Sequence, residues 1–276
     1  MRNALSVDVE DWFQVGAFEG VIDRSDWAFL ESRVERNTEA VLALFRRAEV
    51  KGTFFTLGWI AKRAPHLLRR IVSEGHEIAS HGWDHRRVFR MGPTEFRADL
   101  ARARQAIEDA AGAAVMGYRA PSFSIDARTP WAHVVLAEEG YAYSSSVAPV
   151  RHDHYGWPEA PRFAWRPIPE STMIELPVTT ARWGKRTLAA GGGGFFRLLP
   201  YRFSAWAIRR VNEAERPAVF YFHPWEIDPR QPRVAKAPLK SKLRHYSRLG
   251  AMEGKLERLL GDFAWDRVDR VAASQA

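Results

Sequence analysis

The sequence predicts an α/β fold in which a parallel sheet closes, or nearly closes, into a barrel. Strand-like and helix-like hydrophobic periods alternate about six or seven times along the chain. The length, 276 residues, suits a closed barrel of this kind, which needs roughly 250. The composition is 46% hydrophobic and 27% charged, which is ordinary globular usage and argues against disorder, collagen or coiled coil. In such a barrel, functional side chains gather just past the C-terminal ends of the strands.

Each element has a local reason. Leu5, Val7 and Val9 alternate with Ser6, Asp8 and Glu10, so 4–10 reads as a strand ending in a polar tip. Val34, Thr38, Val41, Leu42 and Phe45 lie at helical spacing and predict a helix over 34–48. KGTFFTLG (51–58) is a short buried strand, aromatic, β-branched and bounded by glycine. A helix over 59–74 ends where Gly75 can cap it, and HEIASH (76–81) is the third strand. Phe96, Leu100, Ala103 and Ile107 mark a helix over 94–111 that Gly112 terminates; AVMGYRAP (114–121) then starts as a strand and breaks at Pro121. A helix near 129–139, strands at 141–146 and 173–178, a helix near 201–214 and a strand at 217–223 complete the pattern. Two segments interrupt it. Residues 149–170, with five prolines, read as an ordered irregular loop, and GGGGFFRLLP (191–200) reads as a flexible one. Gly191–Gly194 lack the following Lys-Ser/Thr of a phosphate-binding loop.

The 41 basic and 33 acidic residues leave a net charge of +8, unevenly placed. Between 228 and 248, Arg230, Arg233, Lys236, Lys240, Lys242, Arg244 and Arg248 face Asp228 alone. Such a stretch suits phosphate, an anionic membrane surface or nucleic acid, or is simply the solvated face of terminal helices. No apolar run reaches the ~18 residues of a membrane span. Acids at 8, 10 and 11 fall where a secretory leader needs apolar residues, and the absence of cysteine removes any disulfide framework. The expectation is a cytoplasmic protein, peripheral at the inner face of the membrane if the basic stretch binds there.

Polar residues concentrate at the strand ends. The first strand delivers Asp8, Glu10 and Asp11; the third delivers His81 and, four residues on, His85; the fourth delivers Arg119 and the last His223. Two imidazoles and a carboxylate with open positions suit a divalent transition metal that also binds water. The remaining carboxylate, Arg and His are what metal-assisted hydrolysis of an amide or ester needs. Singly, each residue has a bland reading: a charged loop entry, a pair of surface histidines, a surface Arg, a satisfied core His. Their joint order along the chain is far more specific.

Five motifs in that order, SVDVED, SHGWDH, YRAPS, YSSS and YFHPW, span residues 6–225. The chain thereby resembles the polysaccharide deacetylases of the NodB-homology class, carbohydrate esterase family four. The DVEDWFQV and FHPWEID segments and the basic helical tail resemble the subgroup associated with bacterial exopolysaccharide loci and the exosortase system. The resemblance implies a distorted (β/α)7 barrel over 1–235, a basic helical extension over 236–276, and Zn²⁺ or another divalent ion such as Co²⁺. It implies removal of N-acetyl groups from N-acetylhexosamine units of a carbohydrate. Asp8 then matches the catalytic base, and His81 and His85 the metal-binding histidines, with Glu10 as acidic ligand and Asp11 as its alternative. Arg119 matches the arginine that orients the base, Pro121 the proline that shapes the motif, and His223 the general acid. The Ser122 N–H takes the oxyanion position, and Trp225 a place where an aromatic face stacks on sugar, as Trp12 and Trp83 also could.

The departures are Ser122, where the family usually has Tyr, and Ser144–Ser146, where it usually has an Asp that tunes the histidine; Glu226 is a candidate substitute. Two other readings stay open: an amidohydrolase of related fold acting on a ureide or cyclic imide, and a non-catalytic carbohydrate-binding protein. No nucleic-acid motif is present, so nucleic acid is not an expected partner.

Overall fold

The computed structural model describes residues 1–152, 155–184 and 186–275. Its first half alternates strands and helices: β1 (Asn3–Val9), α1 (Val34–Arg47), β2 (Thr53–Thr56), α2 (Gly58–Arg63), α3 (Pro65–Ser73), β3 (Glu77–Ser80), α4 (Pro93–Ala111), β4 (Gly117–Tyr118), α5 (Trp131–Glu138) and β5 (Tyr143–Ser144). The second half carries β6 (Ile174–Glu175), β7 (Thr180–Trp183), β8 (Arg186–Ala189), α6 (Gly193–Leu198), α7 (Tyr201–Glu213), β9 (Val219–Phe222), α8 (Leu239–Tyr246), α9 (Met252–Asp262), β10 (Trp265–Asp266) and α10 (Val268–Ala273).

One sheet runs β10–β1–β2–β3–β4–β5–β6, with β9 also on β1, and every pairing in it is parallel. Irregular backbone bridges the gap between β6 and β9. Thr179 N–H donates to Val219 O (3.1 Å), Val219 N–H to Thr179 Oγ1 (2.6 Å) and Tyr221 N–H to Gly191 O (2.8 Å). The expected distorted α/β barrel is therefore the observed architecture. All of β1 is buried, because its polar side faces a polar barrel interior rather than water. Leu5, Val7 and Val9 join the main core with Phe45, Phe54, Leu68, Phe96, Ile107 and Phe220.

Four expectations change. The single helix over 59–74 divides at Ala64, whose φ of −127° and ψ of 56° leave the helical region; Pro65 crowds the preceding residue out of it. The strands at 114–121 and 141–146 shorten to two paired residues each. Single bonds prolong them: Arg119 N–H reaches Ser80 O (2.9 Å) and Ser145 N–H reaches Tyr118 O (2.9 Å). The 191–200 segment is not a flexible loop. It folds as α6, with Phe196 and Arg197 buried and the Phe196 ring 5.1 Å from Phe220. Finally, β7 and β8 form an antiparallel hairpin that hydrophobic alternation did not reveal. Of the expected loop at 149–170, residues 153 and 154 lie outside the described residues; the rest holds nothing longer than a Trp165–Glu175 bridge.

At the C-terminal end, β10 pairs with the first residues of β1. Met252, Leu256, Leu259 and Trp265 belong to the same core as Leu5 and Val7. Among the described residues no helix is long and apolar enough to cross a membrane.

Candidate active site

The parallel register brings the strand tips together. The Asp8 and Glu10 side chains leave the end of β1 on one side, two residues apart, and both are buried. Asp11 turns away: its Oδ2 accepts from Ser32 Oγ (2.7 Å), Arg33 N–H (2.8 Å) and Val34 N–H (3.1 Å), so it fastens the start of α1. That removes the alternative ligand and leaves Glu10.

His81 and His85 sit on a turn, with Gly82 at φ +76° and His85 at φ +61°. The His81 Nδ1 lies 2.8 Å from Arg119 O. A carbonyl only accepts, so the proton is on Nδ1 and the Nε2 lone pair is left for the site. Burial pulls His81 down to about 4 and holds His85 well below its ordinary value, so both imidazoles are neutral. Glu10 Oε2 is 3.0 Å from His85 Nε2 yet has no hydrogen-bond donor among the described residues. One ligand atom from each of Glu10, His81 and His85 lies within 4.8 Å of the others. A buried carboxylate oxygen without a donor, facing two neutral imidazoles, fits a divalent cation.

Beside this cluster, Arg119 is fully buried and Asp8 nearly so. The guanidinium donates to Asp8 Oδ1 (2.7 Å), Ser6 Oγ (2.8 Å), Ser145 O (3.0 Å) and Ser145 Oγ (2.9 Å), and stands 4.1 Å over the Phe55 ring. Every guanidinium nitrogen is used, so Arg119 cannot rotate without breaking buried bonds. The YSSS segment explains itself here: Ser145 holds the arginine, and Ser146 Oγ accepts from Ala120 N–H (2.9 Å).

His223 ends β9 with Nε2 3.1 Å from Glu10 Oε1 and Nδ1 3.6 Å from Glu226 Oε2. Glu226 also accepts from the His223 backbone N–H (3.2 Å) and, through Oε1, from Arg197 Nε (3.1 Å). Burial alone would lower the His223 pKa, but Glu10 and Glu226 outweigh it and push the group up to about 9. Glu10 is pushed up to about 7, by burial first, against the pull of His223. Glu226 thus stands where the substitute for the missing Asp was sought. Its ring partners fix the wall: His223 stacks on Trp225 (5.2 Å) and Trp225 on His245 (4.0 Å).

These groups share one cavity of about 230 Å³. Asp8, Glu10, His81, His85, His223, Ser122 and Trp225 all line it, and Pro121 does not. Pro121 starts the turn that places Ser122 and Phe123 at φ +54° and +48°. Trp12 and Trp83 are not lining residues either: Trp12 Nε1 donates to Glu31 O (3.0 Å), and Trp83 lies under the Arg102 guanidinium. Arg87, Tyr155, Arg197, Tyr221 and His245 line the cavity without having been singled out. Tyr221 was visible in the motif YFHPW. Arg197 was hidden in the segment read as flexible.

A parallel sheet thus carries a buried polar cluster past the C-terminal ends of its strands, where α/β barrels place their functional groups. Over less than half of its length the chain is similar to the polysaccharide deacetylase family. Residues 26–143 match the family model "Polysaccharide deacetylase", and 145–273 match a domain of unknown function, DUF3473. The second match is not a separate body, since it supplies β6, β9 and His223 to the same barrel. The chain is 32% identical over 110 residues to a chitooligosaccharide deacetylase of Bradyrhizobium sp., covering 40% of this chain and 48% of that one. It is 35% identical over 75 residues to a peptidoglycan-N-acetylglucosamine deacetylase of Listeria monocytogenes, covering 27% and 16%. It therefore spans less than half the length of these relatives. Among solved structures, a Mycobacterium smegmatis protein classed with the polysaccharide deacetylases superposes at TM-score 0.62 and 19% identity, covering 99% of this chain and 90% of that one. Puue allantoinase superposes at TM-score 0.62 and 16% identity, covering 98% and 88%. At such identities the likeness is one of fold.

Proposed function

We propose that this chain hydrolyses the N-acetyl group of N-acetylhexosamine units in a bacterial polysaccharide or its precursor, as a step of exopolysaccharide biosynthesis. The carrying observation is the buried Arg119–Asp8 pair, 2.7 Å apart, opening on the same cavity as Glu10, His81, His85 and His223. The DVEDWFQV and FHPWEID segments support the exopolysaccharide setting. We assign 1–235 to the catalytic barrel and 236–276 to an extension packed on it, whose β10 adds to the sheet beside β1 and whose Ser241 and Arg244 line the cavity.

Glu10, His81 and His85 would hold the divalent ion, Zn²⁺ or Co²⁺. Such an ion supplies Lewis acidity toward the amide carbonyl and a lowered pKa for water. Asp8, fixed by Arg119, takes the proton of the attacking water. The Ser122 N–H, held at the cavity by the left-handed turn, donates to the developing oxyanion. His223 carries a proton at the opposite side and gives it to the leaving amine, with Glu226 behind it keeping the ring oriented. Trp225 and Tyr221 offer flat faces to the sugar ring.

The test is acetate release from chitooligosaccharides by protein as isolated, after chelation, and after refilling with Zn²⁺ or Co²⁺. Release that stops on chelation and returns with metal is expected. Metal-loaded protein that releases none overturns the assignment of N-acetylhexosamine as substrate. The equal superposition on Puue allantoinase favours one second reading, hydrolysis of a ureide or cyclic imide. Turnover of allantoin with no acetate release would establish it instead.

A further inference from the structure

We propose that the outward face of α8 is a docking surface for an anionic lipid bilayer, placing the cavity beside a membrane-held substrate. The docking stands by itself; the nature of the substrate rests on the deacetylase reading above.

A helix turns about 100° per residue. Ser241, Arg244 and His245 therefore share one face of α8, and all three line the cavity. Leu239 and Leu243, four residues apart, fall on the opposite face, where they are 73% and 59% exposed. Lys240 and Lys242 project to either side of those leucines. Lys240 is exposed, and Lys242 reaches Ala235 O with Nζ (2.7 Å). The segment leading into the helix adds Arg230, Arg233 and Lys236, all exposed. A water-facing helix gains nothing from two large leucines beside a shallow groove that Val234, Leu243 and Tyr246 line. Exposed leucines flanked by lysines are the pattern of a helix lying in a lipid interface, apolar side chains among the acyl chains and cations at the headgroup phosphates.

Charge selects the occupant. Acids are nearly absent between 228 and 248, since Asp228 is the only one, and it is buried under Arg33 and Arg36 (3.0 and 3.1 Å). An anionic bilayer complements this surface, whereas a second copy would set the same cations against each other. On the adjoining α6, Phe195 and Leu198 are 36% and 41% exposed. Arg197 ties α6 to α8 by donating to Arg244 O (3.1 Å) and His245 O (3.1 Å). The two helices are thus tied together along one lip of the cavity.

The experiment is co-sedimentation of the full chain with phosphatidylcholine vesicles, with and without about a third phosphatidylglycerol, at low and high salt. Binding to the anionic vesicles alone is expected, weakening as salt rises. The double variant Leu239→Ser/Leu243→Ser keeps the net charge, so it separates this face from general attraction of a basic protein. It should partition at least about tenfold less well while its melting temperature stays unchanged. Because these leucines are exposed, the variant is expected to fold; Lys240→Glu, which also removes no buried group, is the second probe and should weaken binding too. No sedimentation with anionic vesicles at low salt, or binding that neither variant reduces, overturns the proposal. So does gel filtration showing a dimer that the leucine variant dissociates. Vesicle binding by protein that releases no acetate would leave the docking standing and remove only the deacetylase reading.

Discussion

Asp8, the proposed base, and Asp11 show how little separates a carboxylate that opens on a cavity from a structural one. Both are buried acids at the end of β1. Asp11 receives N–H and O–H donors that end its chemistry, whereas Asp8 receives one oriented cation and opens on the cavity. Asp8→Asn keeps the shape but removes the base, so acetate release should fall by a factor on the order of 10³ or more. Zn²⁺ binding, followed by titration calorimetry, should be retained because Glu10, His81 and His85 are untouched. Turnover near the parent level would take Asp8 out of the base role. The sequence gives this pair only as neighbouring acids. Which one faces the cavity is set by α1, whose first N–H groups draw Asp11 away, and that contact joins residues 22 and 23 positions apart.

At the scale of elements, local patterns predict well where one face is apolar and fail where tertiary contacts override composition. The amphipathic helix over 34–48 and the cap at Gly112 are written in neighbouring residues, and α1 and α4 follow them closely. The four glycines at 191–194 read locally as flexibility, yet the first three serve close approach. A Cβ at Gly191 would stand 2.4 Å from Val219 O and one at Gly193 1.8 Å from Glu226 Oε2, while one at Gly194 would meet nothing. Gly193→Ala must displace Glu226, and with it the contacts to Arg197 and His223, at a cost of about 1–3 kcal/mol. Gly194→Ala should be neutral or stabilise α6 by up to about 1 kcal/mol. Urea midpoints of the two variants measure the difference. Equal midpoints would mean that the glycines are there for flexibility after all. Arg197 went unread for the same reason: its partner Glu226 is 29 residues away, and no local period links them.

Across the whole molecule, chemistry and stability sit at opposite ends of the barrel, the division expected of parallel α/β barrels. The groups proposed to react follow the strand C-termini, while the strand N-termini carry a second set of buried polar residues around His76 and Glu77. Glu77, the first residue of β3, accepts from Tyr143 OH (2.8 Å) and Asp269 N–H (3.2 Å), tying β5 and α10 to the sheet. Burial first, then Asp269, raises its pKa. His76 accepts from Gly52 N–H at Nδ1 (3.2 Å), its Nε2 is buried without a partner among the described residues, and burial, then Lys51, lowers it from 6.5 to about 4. Between pH 4 and 6.5 the unfolded chain therefore binds a proton at His76 that the folded chain refuses, so this residue makes stability rise with pH across that window. Glu77 acts with the opposite sign, since the folded chain keeps its proton above the unfolded pKa and that contribution is lost as pH rises through the folded one. Net slopes of the parent protein mix the two, and only a difference between variants isolates His76. His76→Asn preserves an acceptor for Gly52 N–H and cannot titrate. Relative to the parent, it should gain stability as pH falls from 6.5 to 4, by a difference on the order of 3 kcal/mol at most. Denaturant unfolding at closely spaced pH values reads this directly. Parallel stability curves would show that His76 is protonated in the folded protein, and the buried end of the barrel would then need a counter-charge that the hydrogen-bond pattern does not contain.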